Sequence, residues 1–153
     1  MKALGLIGWS GSGKTTVLVN LLHELKNQGY SVSTMKHTHH KVDIDQPGKD
    51  SYRHREAGAV EVVLASSVRW ALLHELRDEP EPDMDELITH MRPVDLLLIE
   101  GFKRHRHAKI EVHRPSLGKP LICIDDPTVI AVASDEPFAD PGVTVLDLND
   151  ARA

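Results

Sequence analysis

The stretch Gly8-Trp9-Ser10-Gly11-Ser12-Gly13-Lys14-Thr15 constrains this chain more than any other. It follows an apolar run, Ala3, Leu4, Leu6 and Ile7, and leads at once into Val17, Leu18, Leu21, Leu22 and Leu25 at helical spacing. The pattern G-x-x-x-x-G-K-[ST] between a strand and a helix is the setting of a phosphate-binding loop. Glycines let successive backbone N–H groups point into one concavity, and the helix start adds unpaired donors and a positive dipole end. Lys14 supplies a charge for the β- and γ-phosphates, and the Thr15 hydroxyl is placed to ligate Mg²⁺. The alternative is a glycine-rich turn that merely starts a helix; eight positions with four fixed, in this strand–helix setting, weigh against it.

The helix is expected from Lys14 to just before Gly29, a good closing glycine. Tyr30 to Lys36 reads as a second strand, so the chain opens with a βαβ unit. Residues 37–50 read as a polar loop with Pro47-Gly48, and Asp50 or Ser51 caps a short helix ended by Gly58. Residues 60–65 and 68–73 are expected to form a hairpin turned at Ser66-Ser67, at an edge of a mostly parallel sheet. After the acidic connection 77–85, a short helix runs to Met91. Val94 to Glu100 is a nearly continuous apolar run, which suits a strand buried on both faces. Strands are further expected at 109–113, 121–124, 129–133 and 143–146. The result is a three-layer α/β/α phosphate-loop NTPase fold with a mostly parallel sheet, one domain over residues 1–153.

Composition sets outer limits. The chain has 153 residues, 41% of them apolar, enough for a core of its own. The net charge of −5 argues against nucleic acid or an anionic membrane as the main partner. No apolar run approaches the ~20 residues of a membrane helix. With a lone cysteine, Cys123, and no signal-peptide pattern at the N-terminus, the expected location is cytoplasmic. Cys123 lies in the apolar run 121–124 and reads as a small hydrophobe, not a nucleophile.

In open α/β sheets, ligands bind beyond the carboxyl ends of the strands. By that rule the glycine loop, His37-Thr38-His39-His40 and Glu100-Gly101-Phe102-Lys103 open onto one rim. Glu100, closing an apolar strand, stands where a Walker B acid would hold Mg²⁺ through water or activate a water. Asp95 is read as a cap at the far end of that strand. The 37–50 segment is read either as a switch-like loop that meets Mg²⁺ through Asp43 or Asp45, or as a solvated loop. Its His37, His39 and His40 raise a metal site as a weaker option. Lys103, Arg104, His105, Arg106 and His107, with Arg53, His54 and Arg55, concentrate positive charge that suits a second anionic ligand. Asp125, Asp126 or Asp135 could bond the guanine N–H groups, but adenine and guanine stay undecided from residues alone.

Three segments, GLIGWSGSGKTT, KHTHHKVDIDQPGKDSYRHREAGA and LLLIEGFK, make the chain resemble the molybdopterin-guanine dinucleotide biosynthesis adapter family, MobB, over roughly residues 2–135. The resemblance implies GTP and Mg²⁺ as ligands, with at most slow hydrolysis. It implies an accessory role beside the nucleotidyltransferase that attaches GMP to molybdopterin. It also implies a homodimer, with the 60–73 hairpin and Lys109–His113 as interface strands. Carried over, the binding loop is Gly11, Ser12, Gly13, Lys14, Thr15 and Thr16, and the Walker B acid is Glu100. The metal set is then Thr15, Glu100 and Asp45. The competing classes are a small-molecule kinase, with Arg104 and Arg106 as lid arginines, and a metal-insertion GTPase that uses the histidines.

Overall fold

A computed structural model describes residues 1–38, 42–138 and 141–150. The chain forms two compact units: Met1–His37 with His90–Ala153, and Thr38–Thr89. The second is inserted between two strands that are neighbours in the sheet of the first.

The first unit is built on β1 (Lys2–Ile7), α1 (Lys14–Asn27) and β2 (Val32–Lys36). It resumes with β5 (Leu96–Glu100), β6 (Lys109–His113), β7 (Val129–Ser134) and β8 (Thr144–Asp147). The second holds α2 (Asp50–Glu56), β3 (Glu61–Ala65), β4 (Trp70–His74) and α3 (Met84–Thr89). The six strands of the first unit run parallel in the order β2-β5-β1-β6-β7-β8. The opening βαβ unit therefore leaves a gap between β1 and β2, and the apolar strand β5 fills it. Leu97, Leu98 and Ile99 are fully buried there, as a strand covered on both faces requires.

Leu18 of α1 packs with Leu6, Leu98, Val112, Ala133 and Leu148 to form the core on one face of the sheet. Gly29, at φ 86°, closes α1, and the Tyr30 amide donates back to the Leu25 carbonyl at 3.0 Å. On the opposite face of β6, Lys109 and Glu111 are buried. Glu111 draws in the backbone N–H groups of Ile122 and Cys123 at 2.9 Å. Lys109 Nζ donates to Asp126 at 3.0 Å and to the Thr128 hydroxyl at 2.7 Å.

These buried charges correct the expected strand at 121–124. The amides that would have joined a sheet ladder are spent on a carboxylate, so the segment is a turn and Ile124 is left 70% exposed. Cys123 is half-buried, and burial together with the Glu111 carboxylate pushes its thiol up, against a nucleophilic role.

The hairpin forms where expected, paired from Glu61↔His74 to Ala65↔Trp70, but as a two-stranded sheet of its own and not as an edge of the parallel sheet. The edges of that sheet are β2 and β8. Lys109–His113 is likewise not an edge: β6 is paired on both sides, by β1 and β7, so it has no free ladder groups for a second subunit. Among the described residues no helix is long and apolar enough to cross a membrane.

Candidate functional site

Because all six strands are parallel, the ends of β2, β5 and β1 lie side by side on one rim. The rim is tied by backbone and side chain: the His37 amide donates to the Glu100 carbonyl at 2.8 Å, and the His37 ring lies tilted against Phe102 at 4.7 Å between centroids. Gly101 sits at φ 103°, and a side chain there would meet the His37 carbonyl oxygen at 2.9 Å. The close approach of β2 and β5 thus needs glycine at this point.

The glycine loop begins with Gly8 at φ 149°, buried so tightly that a Cβ would stand 2.4 Å from the Val112 carbonyl oxygen. Gly11 and Gly13 also take positive φ, 82° and 95°. The Trp9 carbonyl ties the loop off, accepting from the Ser12 amide at 3.2 Å and from Lys14 Nζ at 2.9 Å. Gly11, Thr15 and Thr16 are exposed while Ser12 is buried, its hydroxyl oxygen without a hydrogen-bond partner among the described residues. The segment is curled and open to solvent, as a phosphate cradle requires. Burial lowers the Lys14 ammonium from its ordinary value, and the Glu100 carboxylate partly offsets this.

The structure brings Thr15 and Glu100 together. Thr15 Oγ1 donates to both Glu100 carboxylate oxygens at 3.2 Å, and Lys36 Nζ lies 3.3 Å from one of them. A hydroxyl and a carboxylate converging beside the loop are the hard oxygen donors that Mg²⁺ prefers, so the donor set fits that ion. Asp95 is at the other end of β5, as expected, where it accepts from the Ser31 amide and hydroxyl at 2.8 and 2.5 Å; those bonds pull its carboxyl down.

Asp43 and Asp45 belong to the second unit. Arg55 clamps Asp43 with two bonds, at 3.2 and 3.0 Å, and this holds the Asp43 carboxyl low. Asp45 uses one oxygen for the Ser51 hydroxyl at 2.7 Å, while its Oδ2 is buried with no hydrogen-bond partner among the described residues. Of the two, Asp45 keeps an acceptor to offer. His39 and His40 lie outside the described residues. Among the described residues no group of three or more His, Cys, Asp or Glu is placed to hold a metal ion.

Sequence reasoning missed Arg114. It follows β6 on the rim, donates from Nε to the Ser12 carbonyl at 3.0 Å and pairs through Nη1 with Asp135. The only advance signal was its place at the carboxyl end of a strand. The base-reading candidates separate clearly. Asp126 is bound to Lys109 and Thr128 at the amino ends of β6 and β7, away from the rim. Asp135 follows β7 on the rim beside Arg114.

A parallel sheet with a curled glycine loop at its carboxyl rim defines a phosphate-loop α/β protein of the nucleotide-binding class. More narrowly, the profile of the family described as MobB, molybdopterin guanine dinucleotide synthesis protein B, matches residues 3–135. The chain belongs to that family. It is 46% identical over 152 residues to the molybdopterin-guanine dinucleotide biosynthesis adapter protein of Escherichia coli (strain K12), covering 97% of this chain and 86% of that one. The protein of the same name from Haemophilus influenzae is 44% identical over 149 residues, covering 95% and 81%. Among solved structures, a molybdopterin-guanine biosynthesis protein B superposes with TM-score 0.74 at 25% identity, covering 97% of this chain and 92% of that one. Bacillus subtilis MobB superposes with TM-score 0.75 at 24% identity, covering 98% and 91%.

Proposed function

We propose that the chain is a GTP-binding adapter in the biosynthesis of molybdopterin guanine dinucleotide, working beside the nucleotidyltransferase that attaches GMP to molybdopterin. The observation that carries the nucleotide part is the curled loop, whose Lys14 is already tied across to Trp9 and whose Thr15 faces Glu100. In this reading Gly11, Ser12, Gly13, Lys14, Thr15 and Thr16 hold the phosphates, and Thr15 and Glu100 hold Mg²⁺. The ion, when bound, would offset phosphate charge. Glu100 is the residue that orients a water, and hydrolysis is slow at most.

The chain acts as one nucleotide-binding domain carrying an insertion, in the cytoplasm. It forms a homodimer through the hairpin of the second unit, where Val63, Val68 and Trp70 are more than half exposed. An isolated two-stranded hairpin is marginal in water, and a second copy would cover it.

The test is a reconstituted coupling assay. The chain should raise the rate at which the nucleotidyltransferase attaches GMP to molybdopterin, and GTP should bind in preference to ATP with Mg²⁺ present. No stimulation, together with no nucleotide preference, rejects the reading.

A further inference from the structure

Beside the loop, on the sheet face opposite α1, lies a cavity of about 620 Å³ that the nucleotide reading does not use. This volume is in the range of small-molecule sites, roughly 300–1,000 Å³. At its rim end stands the Trp9 indole, whose Nε1–H donates to the Pro120 carbonyl at 2.8 Å and so fixes the plane of the ring. Two ammonium groups converge on that ring, Lys103 at 5.4 Å and Lys119 at 5.7 Å from its centroid. Arg104 and Arg106 also line the cavity, as do the buried Lys109 and, toward its far end, Asp126, whose charge Lys109 already pairs, and Asp125. Lys109 is level with Gly5 in the β1–β6 register, so the groove runs roughly 13 Å along the strand direction, at about 3.3 Å per residue.

An oriented aromatic face ringed by exposed cations suits a ligand that is planar at one end and anionic at the other. Exposed lysines over a half-buried indole are weakly held, so a ring can take the open face while the ammonium turns to an anion. Arg104 and Arg106 add forked donors that match phosphate oxygens. Trp9 belongs to both places: its carbonyl closes the phosphate loop and its side chain heads the groove. A second ligand here would lie next to the nucleotide.

We propose that the Trp9 groove binds a phosphorylated pterin, ring against the indole and phosphate among Lys103, Lys119, Arg104 and Arg106. The proposal rests on the adapter reading, which makes a pterin phosphate the second reactant beside the nucleotide.

The experiment is calorimetric titration of the full chain with neopterin monophosphate, in saturating GDP and Mg²⁺. Binding is expected with GDP in place, at least tenfold weaker for unphosphorylated neopterin. Lys103→Ala/Lys119→Ala should weaken it at least tenfold while leaving GDP affinity within twofold. Lys14→Ala should lose GDP and keep the pterin phosphate, so that failure of the phosphate loop and failure of the groove are read separately. The proposal is overturned by absence of binding in saturating GDP, by equal binding of the two neopterins, or by an unaffected double variant. GMP binding equally well under saturating GDP would make the groove a nucleotide subsite and would also overturn it.

Discussion

The Thr15 hydroxyl stands 3.2 Å from each carboxylate oxygen of Glu100, joining the first turn of α1 to the end of β5 across 85 positions of sequence. If this pair shares Mg²⁺ with its water shell, removing the charge of Glu100 weakens the ion more than the nucleotide. Glu100→Gln should raise the Mg²⁺ concentration needed for GTP binding about 10- to 100-fold, the usual range for outer-sphere partners of a metal. Mg²⁺ titration with a fluorescent GTP analogue reads this directly. An unchanged Mg²⁺ midpoint demotes Glu100 to a structural acid.

Lys14 is held toward the loop by the Trp9 carbonyl and is only half-buried, outside the apolar cluster. Losing a charge-assisted hydrogen bond costs roughly 1.5–3 kcal/mol, or about 10- to 100-fold in affinity. Lys14→Ala should bind GTP that much more weakly with its circular dichroism spectrum preserved. Full affinity in this variant would remove the loop from the nucleotide account.

Gly8 carries two penalties at once, a φ of 149° and a would-be Cβ 2.4 Å from the Val112 carbonyl. Gly29, at φ 86°, has open space around it. Gly29→Ala should therefore show backbone strain alone, about 1–2 kcal/mol. Gly8→Ala should lose more than that, about 3 kcal/mol, since main chain must move. Urea unfolding of the two variants gives the comparison, and equal losses would mean that the loop relaxes freely.

Lys109 is 1% exposed, and its ammonium is held by Asp126 and the Thr128 hydroxyl. Lys109→Ala leaves Asp126 without its cation and should cost about 3–5 kcal/mol. Lys109→Met combined with Asp126→Asn should recover part of the loss, because neither charge is then stranded. Chemical denaturation of both variants checks this; a double variant no better than the single one would show that the pair is not the cause.

His74 bonds Glu61 at 2.9 Å and Glu79 at 3.1 Å, and these carboxylates raise its pKa above the ordinary 6.5. The folded protein then holds this proton more tightly than the unfolded chain. The contribution is fully present below the unfolded value and is lost as pH rises through the folded one. The pair is exposed, so the effect should be small and salt-sensitive. NMR titration of the His74 ring should give a midpoint above 6.5, moving down in Glu61→Gln.

Local chemistry made much of the architecture readable in advance. The loop pattern, the spacing of leucines in α1 and the apolar run of β5 each express a rule that acts within a few residues. The turn at 121–124 did not, because four apolar residues in a row say nothing about a buried carboxylate, Glu111, ten positions earlier. The hairpin was visible in its residues, but its separation from the parallel sheet was not, since local alternation does not say which edges are already paired. Arg114 and the Trp9 groove were hidden for a similar reason: their contacts with Ser12 and Pro120 span about a hundred residues.

The sequence by itself determined that this chain carries the phosphate-loop pattern, that the run ending at Glu100 is a strand buried on both faces, and that Glu100 closes it. Only the tertiary structure decided which strand ends are neighbours, and so that Thr15 meets Glu100, that Asp126 serves Lys109 while Asp135 serves Arg114, and that Trp9 heads a cationic groove. The physical reason is range. Propensity, periodicity and glycine conformation act over one or two turns of chain, whereas burial of a charge or pairing of a strand depends on whatever the fold brings to it from far away.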